Sequence, residues 1–468
     1  MNNVSKSSYL LKNTLIFTIG NIGPRLISFF FIPLYTNILT TSQYGVVDLV
    51  AILCTVLAPV VTLNIAESVM RFGLDKDANK EKNTQCGTVV YLISIVWSLF
   101  LIPICQLVPM LSSYSLYIFF YIVSFAACQL YLCDLRGKEL LFQYSIGNLL
   151  QTVLIAVFNI LFLVTLQMEI KGYLLAYITS NCIVSIYAIL MGKGYKSFKL
   201  YGVDKCLLKN MISYSIVLMP NTFMWWIMNS SDRVMISYML GPTLNGIYAI
   251  SYKIPTLMSI LSNIFNQAWG YSAIRENGSK DEEVYNNTIF RMLTAFVIIT
   301  ALALIMIIKP FLKIYVSSSY YSAWKYTPFL IIGYVYLTLA TFMATSYTVH
   351  KDSFGYLFSG MFGAIFNIVM NYCLIPIAMV YGAAFSTCIS YILVFFFRLF
   401  HTRKYIRYDI NNKEFIIGSL LLILSAILMF WNSKYAFIAE GGLLLIAICL
   451  FFKTWSPLFK RLFSINRK

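Results

Sequence analysis

The sequence predicts an all-α membrane protein that crosses the bilayer about 14 times. Of its 468 residues 59% are hydrophobic and only 11% are charged, and the mean hydropathy is +0.76. The apolar residues come in runs of about 20 or more, the length that a helix needs to cross a hydrocarbon core of about 30 Å. Most of the 35 Lys and Arg residues lie in every second connection between these runs. This alternation follows the positive-inside rule and accounts for the net charge of +17 without a nucleic-acid partner.

Fourteen spans are predicted, and their even number places both termini on one side of the membrane. The basic residues at both ends of the chain indicate that this side is the cytoplasm. We expect membrane lipids among the partners of such a chain. The predicted spans are 13–39, 45–69, 87–108, 114–135, 142–166, 172–191, 212–239, 246–270, 288–308, 326–348, 354–375, 378–400, 415–433 and 436–454.

A weak internal repeat divides the first twelve spans into two halves. Gly45 and Gly246 each follow a short polar turn and begin the second helix of a hairpin, about 200 residues apart. We therefore predict two six-helix lobes related by an axis along the membrane normal. The predicted organisation is an N-terminal lobe over 1–192, a cytoplasmic linker over 193–211, a C-terminal lobe over 212–400, and spans 13 and 14 with a basic tail over 401–468.

The first predicted span contains a charge that a lipid-facing helix does not tolerate. Arg25 follows Pro24 near the middle of this span, and its guanidinium stays protonated in a low dielectric. An arginine at bilayer depth costs at least about 2.5–3.5 kcal/mol on insertion scales. We therefore predict that Arg25 faces a polar cavity and binds an anion there.

Two further cations lie in the hairpin of spans 7 and 8. Arg233 follows Asp232 in span 7, and Lys253 lies in span 8 at the same depth of roughly 10–12 Å from the outer surface. One interpretation is an Asp232–Lys253 ion pair that fixes helix packing while Arg233 extends outward. The other is a positive lumen that includes Arg25. This lumen suits a phosphate or diphosphate, because Arg binds such groups bidentately and Lys binds them as a point charge.

Carboxylates within the spans are few. Asp48, near the outer end of span 2, is interpreted as a rim charge, as the partner of a cavity cation, or as a carboxylate that couples transport to H⁺ or Na⁺. Asp232 is a second candidate for ion coupling or for counter-charge. Glu67 precedes Arg71 by one helical turn, and this spacing predicts a surface ion pair.

Amide side chains recur within the apolar spans. Hydrogen bonds between helices, worth about 0.6–2 kcal/mol each, are their ordinary role. As a group, and together with indole rings, they also fit a hydrophilic wall that contacts sugar hydroxyls and sugar rings. The candidate cavity and sugar contacts are Asn148, Gln151, Asn159, Asn221, Trp225, Asn263, Gln267, Asn367 and Asn371.

The sequence contains no recognisable enzyme motif. The two histidines, His350 and His401, lie in predicted inner loops, and no HExxH, GxSxG or Walker A motif and no acidic metal cluster is present. We therefore expect a transporter rather than an enzyme, with no cofactor and no resident metal. Its energy source would be an H⁺ or Na⁺ gradient, the membrane potential or the substrate gradient.

The first fifty residues resemble the opening of a known family. Lys12–Asn13 at the start, Pro33–Leu34–Tyr35 near the outer end of span 1 and Tyr44–Gly45 at the start of span 2 resemble polysaccharide-biosynthesis flippases of the Wzx type. This family belongs to the multidrug/oligosaccharidyl-lipid/polysaccharide (MOP) exporter superfamily, with MurJ and the MATE exporters as relatives.

The resemblance implies a fold, a substrate and a location. It implies two six-helix lobes around a central cavity and alternating access in a bacterial cytoplasmic membrane. A polyprenyl-diphosphate-linked oligosaccharide would move from the inner to the outer leaflet for O-antigen (lipopolysaccharide), capsule or exopolysaccharide synthesis, with a glycan polymerase complex as a candidate partner. Spans 13 and 14 would form the groove for the polyprenyl tail. By the same resemblance, Arg25, Arg233 and Lys253 would bind the diphosphate.

Three alternatives remain at the level of the sequence. A cation-coupled MATE-type efflux pump would carry uncompensated acids in its first lobe, and Asp48 keeps that option open. A membrane-embedded glycan polymerase, glycosyltransferase or acyltransferase would be expected to have a sizeable outer loop or a His/Asp-rich cluster. A passive scaffold in a glycan assembly complex is the third.

Overall fold

The computed structural model describes most of the chain, and within the described residues the chain is built from helices without a β-strand. Arg25 lies outside the described residues. The described residues are 27–199, 201–276, 278–279, 281–410, 413–431, 433 and 435–465. Within helices, the side chains at 221, 261, 263, 264, 267, 268, 271, 453 and 455–465 are outside this description.

In the first half of the described chain, some of the predicted spans are divided into two helices. In order the helices are α1 (Ile32–Ile38), α2 (Thr41–Val61), α3 (Ile65–Gly73), α4 (Lys80–Ser98), α5 (Leu101–Gln106), α6 (Pro109–Ser112), α7 (Ser115–Gly137), α8 (Leu141–Asn159) with a π-helical extension (Ile160–Thr165), and α9 (Glu169–Met191).

The second half has longer helices. In order they are α10 (Lys205–Met239), α11 (Pro242–Glu276), α12 (Glu282–Tyr315), α13 (Thr327–Val349), α14 (Ser353–His401), α15 (Lys413–Leu428) and α16 (Ala436–Ile465). Short 3₁₀ helices connect some of them, at Gly194–Ser197, Ser318–Lys325 and Thr402–Lys404.

The predicted fold class is confirmed. Every predicted span coincides with a helix or part of a helix, and span 1 does so over its described residues. In the described part of the chain, seven helices are long and apolar enough by themselves to cross a membrane. They are α2, α7, α8 with its extension, α9, α12, α13 and α14.

Local sequence explains where α2 starts and stops. The Thr40 side chain accepts a hydrogen bond from the Gln43 N–H (3.2 Å), and the Gln43 side chain accepts one from the Thr40 N–H (2.9 Å). This reciprocal capping box satisfies two donors that the first helical turn leaves open. Near the other end, Pro59 lacks an N–H, and the helix breaks within one turn at Leu63 and Asn64.

The chain divides into two compact units, Met1–Trp226 and Ile227–Lys468. We call them the N-terminal unit and the C-terminal unit. The boundary lies within α10, so this helix contributes residues to both units. The lobe and linker boundaries expected from the sequence remain predictions.

The N-terminal unit packs through small residues and a satisfied buried acid. A Cβ added to Gly73 of α3 would lie 2.9 Å from the Gly137 Cα of α7, so the two backbones approach closely, as small residues allow in membranes. At the same end of α7, Asp134 is 2% exposed. Its carboxylate accepts hydrogen bonds from Thr84 (2.5 Å) and from the Lys138 ammonium (2.6 Å).

The C-terminal unit is closed at the predicted inner side by a polar cluster around Asp352. The Asp352 carboxylate accepts from the Gly355 N–H (2.8 Å), the Lys404 ammonium (2.9 Å) and the Tyr405 hydroxyl (2.9 Å). These donors, the Gly355 N–H first, lower the pKa of Asp352 to about 2. The carboxylate therefore stays ionised at physiological pH and holds the segment after α14 against the start of that helix.

Spans 11 and 12 both lie within α14, where they are two helices that meet at a sharp turn at Met379. Met379 has φ 51° and ψ −130°, a conformation that side-chain-bearing residues rarely adopt. The turn brings Gly382 onto the preceding helix, where a Cβ would lie only 2.2 Å from the Leu374 carbonyl oxygen. Because that atom belongs to the backbone, it cannot move aside as a flexible side chain would.

We expect Gly382→Ala to destabilise the protein by roughly 1–3 kcal/mol, the usual cost of overpacking. Gly360→Ala is the matched control, since Gly360 also lies in α14 and nothing lies within 4 Å of a Cβ added there. Thermal unfolding of both purified variants in detergent measures the difference. Equal unfolding temperatures for the two variants would contradict the close approach at Gly382.

Candidate functional site

A buried carboxylate is the centre of the polar network in the C-terminal unit. Asp232 of α10 is 1% exposed. One of its oxygens, Oδ2, accepts hydrogen bonds from the hydroxyls of Tyr252 (2.6 Å), Tyr248 (2.8 Å) and Thr387 (3.1 Å). The other, Oδ1, accepts from the Arg233 N–H at 2.8 Å. Because these donors are neutral, the carboxylate's charge is solvated by hydroxyls and a peptide group in the described part of the chain.

The hairpin of α10 and α11 places these groups together. Gly241 follows α10 with φ +93°, and Pro242 begins α11, an arrangement typical of a helix end followed by a new helix. Tyr248 and Tyr252 are four residues apart and therefore share the face of α11 that meets Asp232. The turn chemistry thus fixes the register between the acid and its two phenols.

A chain of amides extends the network along α14. The Asn371 Nδ2 donates to Asn367 Oδ1 (3.0 Å), and the Asn367 Nδ2 donates to Thr387 Oγ1 (3.3 Å). Ser231 also donates to Asn367 Oδ1, at 2.9 Å. Asn367 and Asn371 are 1% and 0% exposed, so this polar path lies inside the unit. The structure therefore brings two of the predicted sugar contacts next to Asp232.

The two described cations of the predicted diphosphate site lie on the hairpin beside this network. The Arg233 guanidinium donates to the Asn229 carbonyl (3.1 Å) and to Ser230 Oγ (3.3 Å), and it lies 5.1 Å from the centre of the Tyr252 ring. Lys253 is half-buried on α11, next to Tyr252. Lys253 is not among the described donors to Asp232, so the described network gives no support to the packing ion pair considered from the sequence.

The oxygens of this network form a set that suits a hard monovalent cation. Asp232, Thr387, Asn367 and Asn371 supply carboxylate, hydroxyl and amide oxygens, the ligand types that such ions prefer. The Asn371 Oδ1 is buried and accepts no hydrogen bond among the described groups. An orphaned buried acceptor at the end of this amide chain fits either a cation or a water molecule bound to it.

The predicted amides of the N-terminal unit form separate, smaller contacts. Gln151 of α8 donates to Asn181 of α9 at 2.7 Å, which is an interhelical hydrogen bond of the ordinary kind. Asn159 is buried and donates to the Ile155 carbonyl within its own helix (2.7 Å). Asn148 is half-buried one turn before Thr152. These residues are not brought into one site.

Of the remaining predicted site residues, the structure describes the side chains of Asp48 and Trp225. Asp48 is 8% exposed within the N-terminal unit, which a solvated rim charge would not be. Trp225 is half-buried on α10. Asn221, Asn263 and Gln267 lie on described helices, but their side chains are outside the description. Their roles, like that of Arg25, stay predictions.

Several important residues escaped the sequence reasoning. The sequence analysis did not single out Tyr248, Tyr252 and Thr387. The two tyrosines are four residues apart in span 8, and span 7 carries the buried Asp232, so their spacing was a usable signal. Arg398, near the inner end of span 12, was not singled out from the sequence, and it is 1% exposed. It donates to Ser359 Oγ (3.0 Å) and to the Ala340 carbonyl (2.9 Å).

The comparison with protein families decides the affiliation. Residues 10–270, more than half of the chain, match the family described as polysaccharide biosynthesis protein. The chain belongs to this family. This polysaccharide biosynthesis family member is also 24% identical over 277 residues to an uncharacterized membrane protein of Methanocaldococcus jannaschii. That match covers 52% of this chain and 50% of the relative, so the chain spans about half the length of the curated relative it matches.

Solved structures show which fold this family member has. The lipid II flippase MurJ in its inward closed conformation is similar over 96% of this chain and 100% of that one, with a TM-score of 0.63 and 13% identity. An outward-facing multidrug resistance MATE family transporter of the MOP superfamily is similar over 90% of this chain and 96% of that one, with a TM-score of 0.56 and 14% identity. At these identities the likeness concerns the fold, and it confirms the predicted MATE- and MurJ-like architecture.

Proposed function

We propose that this protein is a flippase that moves a polyprenyl-diphosphate-linked oligosaccharide from the inner to the outer leaflet by alternating access. The observation that carries the proposal is that a polysaccharide biosynthesis family matches a chain whose fold is shared with a lipid flippase. A saccharide attached to a lipid in one leaflet must cross the bilayer before it can be assembled outside. A transporter fold in a polysaccharide biosynthesis family suits that step.

The diphosphate of this substrate needs positive charge at bilayer depth. Arg25, Arg233 and Lys253 are the residues we assign to it. The Arg233 guanidinium is already oriented by the Asn229 carbonyl and by the Tyr252 ring, so its position is defined before a substrate arrives. A guanidinium held in this way loses little side-chain entropy when it binds a phosphate.

We assign coupling to a cation gradient, Na⁺ or H⁺, to the network around Asp232. A Na⁺ ion would be held by the carboxylate of Asp232 with the oxygens of Thr387, Asn367 and Asn371, and a proton would bind the carboxylate itself. The bound cation supplies positive charge beside Arg233, and its release restores the negative carboxylate. Either event changes the electrostatic environment of the residues assigned to the diphosphate.

We place the protein in a bacterial cytoplasmic membrane, as the resemblance to Wzx-type flippases implies. The distribution of basic residues predicts that both termini lie in the cytoplasm. Its product would be used by a glycan polymerase complex for O-antigen, capsule or exopolysaccharide. Spans 13 and 14, now helices α15 and α16, are proposed to hold the polyprenyl tail. Both have exposed apolar side chains, such as Leu420 and Ile438.

The test is translocation in vesicles that contain the purified full-length chain and a polyprenyl-diphosphate oligosaccharide labelled on its sugar. We expect Arg25→Ala to lower the translocation rate at least about tenfold, because a charge-assisted phosphate contact worth roughly 1.5–3 kcal/mol is lost. Arg25→Lys keeps the charge but not the bidentate geometry, and it should retain part of the activity.

Transport by Arg25→Ala at the wild-type rate would refute the assigned role of Arg25. Efflux of a lipophilic cation such as ethidium from the same vesicles, without movement of the labelled lipid, would instead identify a MATE-type pump. Covalent extension of the oligosaccharide would identify an enzyme.

A further inference from the structure

The N-terminal unit contains a cavity that the assignments above do not use. It has a volume of about 490 Å³, and its walls come from α2, α3, α4, α7 and the first part of α10. Small-molecule sites in proteins occupy roughly 300–1,000 Å³, so the cavity has room for a compact ligand. The lining residues that matter here are Asn64, Glu67, Tyr91, Phe125 and Gln129.

The cavity lies beside the break between α2 and α3. Leu63 and Asn64 have φ values of 53° and 55°, so two consecutive residues with side chains are in the left-handed region. Such positions cost of order 1–3 kcal/mol each and persist only where the surrounding structure requires them. The Asn64 N–H donates to the Pro59 carbonyl at 2.6 Å, which fixes the shape of the break. The break therefore presents Asn64 to the cavity in one defined orientation.

Two polar groups of the cavity are left open for a ligand. Asn64 is 7% exposed, and its Nδ2 donates to no described acceptor. Glu67 lines the same cavity. The predicted Glu67–Arg71 ion pair is wrong, because the Arg71 guanidinium pairs with the Asp75 carboxylate instead (2.5 Å). In the part of the chain that the structure describes, no ion pair or hydrogen bond to the Glu67 carboxylate is present.

Glu67 gives the described wall of the cavity a negative charge, which disfavours the anionic part of a lipid-linked substrate there. Glu67 is the cavity's one carboxylate among the described lining residues, and no lysine or arginine is among them. A diphosphate placed beside the Glu67 carboxylate would be repelled by it. The cavity therefore favours a neutral, hydroxyl-bearing group over a phosphate.

The chemistry of the walls matches a sugar. A carboxylate accepts from two hydroxyls, whereas the amides of Asn64 and Gln129 can donate to hydroxyl or ring oxygens. The rings of Tyr91 and Phe125 supply flat apolar faces, and Tyr91 is fixed by a hydrogen bond from its hydroxyl to the Val123 carbonyl (3.2 Å). Such a combination of planar polar groups and aromatic faces recognises the two sides of a pyranose ring.

We propose that this cavity binds one neutral sugar unit of the transported oligosaccharide, with Glu67 accepting from its hydroxyls and Asn64 donating to it. The inference rests on the proposed flippase function and adds to it a site for the glycan. It assigns the recognition of the sugar to the N-terminal unit.

Binding of free sugars to the purified full-length protein in detergent tests the inference. The probes are glucose, galactose, rhamnose and N-acetylglucosamine, which carry neither lipid nor phosphate, and saturation-transfer NMR at millimolar concentration is the readout. At least one of them should bind saturably to the wild-type protein. Glu67→Gln should weaken that binding about tenfold, because hydrogen bonds to a charged acceptor exceed those to a neutral one.

Two further variants control for folding. Asn64→Gly removes the amide but keeps a residue that adopts the left-handed conformation readily, so it should weaken binding while thermal unfolding stays close to the wild type. Glu81→Gln changes an exposed carboxylate of the same unit and should leave sugar binding unchanged. Weakening by Glu67→Gln and Asn64→Gly but not by Glu81→Gln supports the assignment.

The inference is overturned if no probe sugar binds, or if Glu67→Gln binds it as tightly as the wild type. It is also overturned if the cavity instead binds ethidium in a manner that depends on Glu67. Labelled-lipid translocation by the same variants separates this result from the fate of the proposed function. Normal translocation with unaltered sugar binding in Glu67→Gln would discard the sugar site and leave the flippase proposal standing.

Discussion

Asp232→Asn is expected to reduce translocation of the labelled lipid by roughly 10–100-fold and to remove its dependence on a cation gradient. The carboxylate is 1% exposed and accepts four hydrogen bonds, three of them at one oxygen. An amide has one acceptor oxygen and an NH₂ group that cannot accept, so this NH₂ group faces either the Arg233 N–H or the hydroxyls of Tyr248 and Tyr252 with the wrong polarity. Each charge-assisted bond that is lost is worth roughly 1.5–3 kcal/mol, and the negative charge for the coupling ion is lost with it.

The measurement compares vesicles with an imposed Na⁺ gradient, with a proton gradient and with neither. For the wild type, one of the two gradients should accelerate transport. Asp48→Asn is the matched comparison, because Asp48 is the other buried carboxylate proposed from the sequence for ion coupling. If the gradient dependence disappears in Asp48→Asn and persists in Asp232→Asn, coupling belongs to the N-terminal unit and the assignment to Asp232 is wrong.

Removal of the phenolic hydroxyls one at a time shows how the network is used. Tyr252→Phe and Tyr248→Phe each leave the carboxylate with one donor fewer while the rings keep their packing. A cation that binds through the oxygens of Thr387 and Asn371 does not need those two hydroxyls. The phenylalanine variants therefore separate a loss of ion binding from a loss of the carboxylate's own support.

The sequence was sufficient for the architecture because bilayer physics leaves few options. Apolar runs of 20 or more residues become helices, since every backbone polar group must find a partner within the segment. Predicted spans accordingly coincide with described helices even where the helical backbone breaks, as in α14 at Met379. The break at Leu63 and Asn64 was signalled only indirectly by Pro59, because a left-handed pair of residues depends on tertiary contacts.

The polar network was predictable where a residue had no acceptable position except a polar interior, whereas the roles assigned to its residues stay predictions. Asp232, Asn367 and Asn371 lie in apolar spans, and the structure joins them in one network. Tyr248 and Tyr252 were not predictable in the same way, because a tyrosine in a span packs equally well as a core aromatic or as a hydrogen-bond donor. The assignment of Glu67 to Arg71 failed because Arg71 has a second carboxylate, Asp75, one turn further on.

Arg398 was missed because basic residues near the end of a span usually extend to the membrane surface. Its guanidinium instead lies inside the C-terminal unit, with Nε donating to Ser359 and Nη1 to the Ala340 carbonyl. The guanidinium carbon also lies 5.6 Å from the centre of the Tyr356 ring. The side chain therefore joins α13 to both halves of α14, and these helices include the polar amides beside Asp232.

Arg398→Met is accordingly expected to destabilise the protein by about 2–4 kcal/mol, seen as a fall in the unfolding temperature in detergent. Methionine has a similar length but no donor, so the Ser359 hydroxyl and the Ala340 carbonyl lose the guanidinium as a donor in a buried environment, although the Ser359 hydroxyl still donates to the Tyr356 carbonyl. Arg398→Lys should fall between, because one ammonium lacks the fixed fork that reaches both acceptors. Arg403→Met is the control, because Arg403 lies five residues further along the chain and is exposed. Its guanidinium carbon lies 4.6 Å from the centre of the Phe400 ring. If Arg398→Met and Arg403→Met unfold at the same temperature, the buried guanidinium does not hold these helices together, and the amide network must owe its arrangement to helix packing alone.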